Sequence, residues 1–254
     1  MKNLDHEKLK EDFDRDGYVF IPGFLDENEI ADIRARFEKF IETKVPEMPS
    51  KFVFYEDKDD TSTLKQLQDI QHYDDFFAGV LNGGEFEKIA ETLLEDKAIG
   101  KNLEYFNKPP KIGKPTPPHQ DGYYFMLKPN NAVTMWMALE DADEANGCVY
   151  YIKGSHKTGM RPHGRTSTLG FSQGITDYGD ADHAVEIPFP AKPGDLLVHH
   201  SLTIHRAGGN TTERSRKALG LIYFAESAKE DVEAKKAYME KLSAERQQKE
   251  AAQA

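Results

Sequence analysis

Over the first hundred positions the apolar residues recur at helical intervals, and from about residue 101 they alternate as in strands. Leu9 and Phe13 sit four apart in a charged segment that Gly17 closes, which predicts a first helix. "YVFIPGF" reads as a short strand stopped by Pro22 and Gly23. In "LDENEIADIRARFEKFI", Asp26 is a candidate N-cap with Glu29 three residues on, the pattern of a capping box. Ile30, Ile33, Phe37 and Phe40 share one face of the helix that follows. A further helix runs through "EFEKIAETLLED", with Phe86, Ile89 and Leu93 on its apolar side.

Beyond this point "NLEYFN", "AVTMWMALE", "GCVYYIK", "AVEIPF", "GDLLVHH" and "KALGLIYFA" are short β-rich runs divided by Gly, Pro, Asn and Asp. In the second of them Val133, Met135, Met137 and Leu139 face one side and Thr134, Trp136 and Ala138 the other. Strands at this spacing predict a sandwich or barrel, so the fold class is mainly β with flanking α. The polar, Gly-rich segment 157–182 has no period and reads as a long surface loop of the kind that serves as a lid. After residue 226 the chain turns to Ala, Glu, Lys and Gln, which divides it into one domain over 1–226 and a charged helical tail over 227–254.

Composition narrows the partners. A net charge of −11 argues against binding nucleic acid or anionic membranes. The single Cys148 has no internal disulfide partner and is expected to be a small buried apolar residue in a reducing compartment. "MKNLDHEKLKEDF" lacks the apolar run of a signal peptide, no stretch is long and apolar enough for a membrane span, and "AAQA" is no peroxisomal address. A cytoplasmic protein is the expectation.

The candidate chemistry begins at "PPHQDGYYF". If His119 begins a strand, alternation puts His119 and Asp121 on one face with Gln120 opposite. Two histidines and one carboxylate on a triangular face hold the metal of non-haem Fe(II) oxygenases, so a second histidine is needed from a distant strand. "GDLLVHHSLTIHRAGGN" offers His199, His200 and His205. The first two are adjacent and point to opposite faces, whereas His205 opens a Gly-rich turn and is the better ligand. Arg216, eleven residues on, is placed to clamp a carboxylate bidentately, in competition with Arg214 on the same face.

These segments, taken in order with "RDGYVFIPGFLDENEI", "WMALEDADEANGCVYYIKGSH" and "RSRKALGLIYF", resemble the phytanoyl-CoA dioxygenase-like family of Fe(II)/2-oxoglutarate oxygenases over roughly residues 10–226. The likeness is nearest to its domain-containing, CoA-independent branch. The resemblance implies a double-stranded β-helix (a cupin-like jelly roll) with N-terminal helices outside it and a C-terminal helix. It implies Fe(II) on His119, Asp121 and His205, and 2-oxoglutarate held by Arg216 with Trp136, Gln120 and Lys65 around it. Glu104 and Ala207 depart from the family pattern, which has methionine and serine there. The reaction implied is hydroxylation of a C–H bond by O₂, with release of succinate and CO₂; the presence of Asp121 favours this over halogenation. Tyr123 and Phe125, beside Tyr124, are candidates to line the substrate cavity. Arg161 and Arg165, with His163 between them, form a cationic patch in the lid that points to a small-molecule substrate with an anionic group. The alternatives are a cupin-type metal enzyme that does not use 2-oxoglutarate and a non-catalytic jelly-roll binding protein.

Overall fold

Asp5 opens the first helix, α1 (His6–Asp16), by accepting a hydrogen bond from Lys8 N, and Gly17 closes it at φ 84°. In the computed structural model, which describes residues 4–166, 168 and 173–240, Gly17 also fixes how the helix meets the sheets. Its carbonyl accepts from His200 N at 2.9 Å and from the Thr203 hydroxyl at 2.6 Å. The helix α2 (Glu27–Thr43) carries the anticipated capping box between Asp26 and Glu29, and buries Ile30, Ile33, Phe37 and Phe40. Two shorter helices, α3 (Asp75–Leu81) and α4 (Glu85–Leu94), follow.

A seven-stranded antiparallel sheet has the order β1 (Tyr18–Ile21), β12 (Leu196–His200), β7 (Ala132–Ala138), β14 (Arg216–Ala225), β4 (Ala98–Lys108), β3 (Leu64–Leu67) and β2 (Val53–Tyr55). The second sheet runs β11 (Glu186–Phe189), β8 (Val149–Ile152), β13 (His205–Ala207), β5 (Thr116–His119). Alternation along β7 divides the core as expected. Val133, Met135 and Met137 join the helices in the larger apolar cluster, where Phe37 packs on Tyr105 with ring centroids 4.5 Å apart. Trp136 and Ala138 point between the sheets, into a smaller cluster with Tyr18, Cys148, Tyr151 and Leu197. Burial pushes the Cys148 thiol up to about 11, so it packs as a small apolar group. The two-sheet arrangement is the double-stranded β-helix, with the helices on its outer face.

The strands β2 and β3 have no counterpart in the sequence pattern, since all four residues of β3 are buried and leave no alternation to read. Two expectations need correction. The segment 157–182 is not a structureless loop: it holds a hairpin of β9 (His163–Arg165) with β10 (Gln173–Ile175), then a helical turn, α6 (Asp180–His183). Residues 167 and 169–172 of it lie outside the described residues. The tail begins as a strand, β15 (Lys229–Glu230), paired with β6 (Leu127–Lys128), and is helical over 232–240; residues 241–254 lie outside the described residues.

A Cβ at position 17 would sit in the left-handed region, 2.7 Å from the Thr203 hydroxyl oxygen and against the His156 ring. Gly17→Ala should therefore cost about 2–5 kcal/mol from backbone strain and overpacking together. Gly23, at φ 58° with nothing within 4 Å of such a Cβ, is the comparison, and Gly23→Ala should cost only the strain, about 1–2 kcal/mol. Urea unfolding midpoints separate the two; equal losses would contradict the packing account.

Candidate active site

Two rows of side chains, one from each sheet, face each other across the interior. In the smaller sheet β13 lies between β5 and β8, so His205 stands opposite His119 on one side and Tyr151 on the other. In the larger sheet Thr134 of β7 pairs with His199 of β12. The Asp121 carboxylate fills the gap between the rows.

Asp121 does not reach this position by strand alternation, contrary to the expectation from the sequence. The strand β5 ends at His119, and Asp121 is helical (φ −58°, ψ −33°), starting the single turn α5 (Gly122–Phe125). Its carbonyl accepts from Tyr124 N and Phe125 N. Pro117 and Pro118 supply no N–H, which confines this short strand to the edge of its sheet. The turn brings the carboxylate back beside the imidazole: Asp121 Oδ1 is 3.4 Å from His119 Nε2 and 3.6 Å from His205 Nε2. The other oxygen, Oδ2, accepts from the Thr134 hydroxyl at 2.5 Å and lies 3.1 Å from His199 Nε2.

Backbone carbonyls fix the protonation of the two facing rings. His119 Nδ1 is 2.8 Å from Pro117 O, and His205 Nδ1 is 3.0 Å from Thr203 O. A carbonyl only accepts, so in each neutral ring Nδ1 carries the proton and Nε2 the lone pair. Burial, reinforced by the neighbouring histidines, holds the His205 imidazole well below its ordinary value and keeps it neutral. Burial alone would favour the neutral Asp121 carboxyl, but the Thr134 hydroxyl and the His199 ring, both at Oδ2, favour its ionised form. Donor atoms of His119, Asp121 and His205 lie within 4.8 Å of one another. Two imidazole nitrogens and one carboxylate oxygen form a donor set that can hold a first-row divalent cation.

These groups open into a cavity of about 210 Å³. Arg216 lies on its wall, buried, with Nε and Nη1 lacking any hydrogen-bond partner among the described residues. Its guanidinium lies 5.3 Å from the centre of the Trp136 ring. Burial lowers its pKa to about 10, which leaves it cationic at neutral pH. Arg214, the competitor, is at the surface with Asp143 at 2.6 Å. An unpaired buried cation on a cavity wall is costly, and an anion entering the cavity would remove that cost.

Other expected site residues lie elsewhere. Lys65 is turned away from the cavity and ion-paired with Glu56 at 3.0 Å, without hydrogen-bond alignment; its neighbour Gln66 lines the wall, as alternation along β3 requires. Gln120 is fully buried on the far side, where its amide donates to Gly159 O and Leu202 O and accepts from Arg161 N. It clips the 157–182 segment in place and leaves no group for a cosubstrate. Because α5 is helical, Tyr124 and Phe125 both line the cavity, while Tyr123 stacks on His163 with centroids 4.3 Å apart. Arg161 is bound to Asp177 at 2.9 Å and Asp182 at 2.7 Å, and neither it nor the exposed Arg165 lines the cavity. Glu104 and Ala207 do line it. The sequence reading missed Thr134, Tyr151 and the contact of His199 with Asp121; alternation from Trp136 already placed Thr134 on the inner face.

The sequence profile of the family described as Phytanoyl-CoA dioxygenase (PhyH) matches residues 13–218. The peroxisomal phytanoyl-CoA dioxygenase of Mus musculus is 30% identical over 223 residues, covering 82% of this chain and 64% of the mouse protein. The chain thus spans just under two thirds of that relative's length. Among solved structures, the epimerase SnoN in complex with Fe3+, alpha ketoglutarate and nogalamycin RO superposes with a TM-score of 0.71 at 24% identity, over 88% of this chain and 84% of that one. EctD from S. alaskensis, with 2-oxoglutarate and 5-hydroxyectoine, gives 0.72 at 17% identity, over 89% and 78%. At these identities the structural matches establish the fold, and the match over residues 13–218 establishes that the chain belongs to the phytanoyl-CoA dioxygenase (PhyH) family.

Proposed function

We propose that the protein is an Fe(II)- and 2-oxoglutarate-dependent oxygenase that hydroxylates a C–H bond of a small molecule. One observation carries the reading: a ready donor set shares one cavity with a buried guanidinium whose Nε and Nη1 lack a partner among the described residues. His119, Asp121 and His205 would hold the metal through Nε2, Oδ1 and Nε2. Arg216 would hold the far carboxylate of the cosubstrate, with Trp136 against the guanidinium. When bound, Fe(II) and 2-oxoglutarate supply the oxidising chemistry, in which O₂ is consumed and succinate and CO₂ are released.

The chain's own contribution is orientation and exclusion of water. Carbonyls of Pro117 and Thr203 keep the two Nε2 lone pairs aimed at one point. Phe106, Phe125, Val149 and Ile222 make much of the cavity wall apolar. The cavity does not favour an anionic substrate. Arg161 lies off the cavity and is neutralised by its two aspartates, and Arg206, which lines it together with Arg216, is bound to Glu186, with Nε to Oε2 at 2.6 Å. A small molecule with an apolar face beside the metal fits this wall. A cupin-type enzyme without 2-oxoglutarate, or a binding protein alone, leaves Arg216 unexplained.

Purified protein given Fe(II), 2-oxoglutarate and O₂ should release succinate slowly even without its substrate. His205→Ala should abolish the release, while His200→Ala, whose ring packs on Phe13 with centroids 6.0 Å apart, should retain it. Metal-dependent release that survives His205→Ala would refute the ligand assignment. Arg216→Lys keeps the charge but loses the fork, and should raise the KM for 2-oxoglutarate on the order of 10- to 100-fold; an unchanged KM would remove Arg216 from the cosubstrate site.

Glu104 adds a pH dependence. Burial raises its carboxyl to about 8, although Gln66 Nε2 at 3.3 Å and Asn102 Nδ2 at 2.7 Å both donate to it. The unfolded chain loses this proton near the ordinary value of 4.5, whereas the folded chain keeps it. The contribution to stability is therefore full below that value and is lost as the pH rises toward the folded-state value. Glu104→Gln should flatten this decline between about pH 5 and pH 8 in urea unfolding. A slope identical to the wild type would show that Glu104 is ionised in the fold.

A further inference from the structure

Three imidazoles crowd the Asp121 carboxylate. The ring centroids of His119 and His205 are 4.1 Å apart, and those of His199 and His205 also 4.1 Å. By composition alone, any of them could be a ligand. Their hydrogen-bond partners divide them. His119 and His205 donate through Nδ1 to carbonyls and so carry their lone pairs on Nε2.

His199 is held the other way round. Its Nε2 faces Asp121 Oδ2 at 3.1 Å, and an ionised carboxylate only accepts, so Nε2 bears the proton. Its Nδ1 therefore carries the lone pair and accepts from the Tyr151 hydroxyl at 2.9 Å. The direction of the chain is settled at both ends: Tyr151 O–H donates to His199 Nδ1, and His199 Nε2–H donates to Asp121 Oδ2. Tyr151 reaches across from the smaller sheet, while His199 and Thr134 belong to the larger one. Thr134 gives the same carboxylate oxygen a second hydrogen bond.

We propose that His199, locked by Tyr151, is a positioning residue for Asp121: it occupies Oδ2 together with Thr134 and so presents Oδ1 alone to the metal. The inference rests on the metal site read above. With His199 removed, Oδ2 keeps one donor instead of two. The carboxylate would then be free to rotate, and either oxygen could face the metal. Without Tyr151, the His199 ring loses the partner that fixes its tautomer, and its Nε2 becomes able to present a lone pair in place of a donor.

The test is a Co(II) titration of the full chain, followed by the visible d–d bands, for the wild type, His199→Phe, His199→Gln, Tyr151→Phe, the double variant His199→Phe with Tyr151→Phe, and His205→Ala. His199→Phe should weaken Co(II) binding about 10–100-fold, the range found when the partner of a metal ligand is removed. Tyr151→Phe should weaken it less, and the double variant no more than His199→Phe alone. His199→Gln, which retains an N–H donor, should recover part of the loss, a ranking that mere filling of space would not produce. Thermal unfolding of the metal-free variants checks that they fold; if His199→Phe does not, Tyr151→Phe and His199→Gln decide. Folded variants that bind Co(II) within about twofold of the wild type would overturn the proposal. So would a loss from His199→Phe as deep as that from His205→Ala, which would make His199 a ligand. A wild type that binds no Co(II) would remove the metal site itself, a result distinct from both.

Discussion

The site depends on one carboxylate placed in the gap between two sheets with its two oxygens in different surroundings. Asp121 Oδ2 is occupied by Thr134 and His199 of the larger sheet, and Oδ1 faces His119 and His205 of the smaller one. Either sheet alone supplies only part of this arrangement. Ionised Asp121 in a buried site is tolerable because hydrogen bonds from Thr134 and His199 replace part of the water it has lost. The fold is the device that brings the two rows to this distance: β12 and β13, a few residues apart in sequence, send His199 and His205 into the same interior from opposite walls.

At the cavity wall a different imbalance remains. Arg216 is buried with two nitrogens lacking partners among the described residues, and the Trp136 ring only partly compensates. Lys108, its cross-strand neighbour on β4, does not add a second full charge, since burial and the nearness of Arg216 hold its ammonium well below the ordinary value. Its Nζ is tied instead to Lys114 O at 2.6 Å. Among the described residues the wall thus offers Arg216 as the cation without a carboxylate partner, and burial, which raises the Glu104 carboxyl to about 8, keeps a second carboxylate from opposing it at neutral pH.

How far the sequence carried this picture depended on whether a local period existed to be read. The capping box of α2 and the division of β7 into an outward Met135 and an inward Trp136 follow from period alone, and the structure keeps both. His205 could be singled out from its neighbours by its Gly-rich turn, and Arg216 from Arg214 by its offset. Where both faces of a strand are buried, as in β3, the period vanishes, and the resemblance, which points to Lys65, lands one residue away from the Gln66 that lines the cavity. Tyr123 leaves the cavity for another reason: the chain turns helical after His119, so alternation stops applying there, whereas the cosubstrate role of Gln120 came from the resemblance alone and its place opposite His119 is the one alternation gives. The pairing of Tyr151 with His199 joins residues from different sheets, and no pattern within either strand announces it.

The most direct test of the central claim is an anaerobic titration of the purified protein, first with Fe(II) and then with 2-oxoglutarate, followed in the visible range. Convergence of His119, Asp121, His205 and Arg216 on one cavity predicts a charge-transfer band that needs both additions and saturates with one cosubstrate per chain. No band after both additions, in protein shown to be folded, would contradict it.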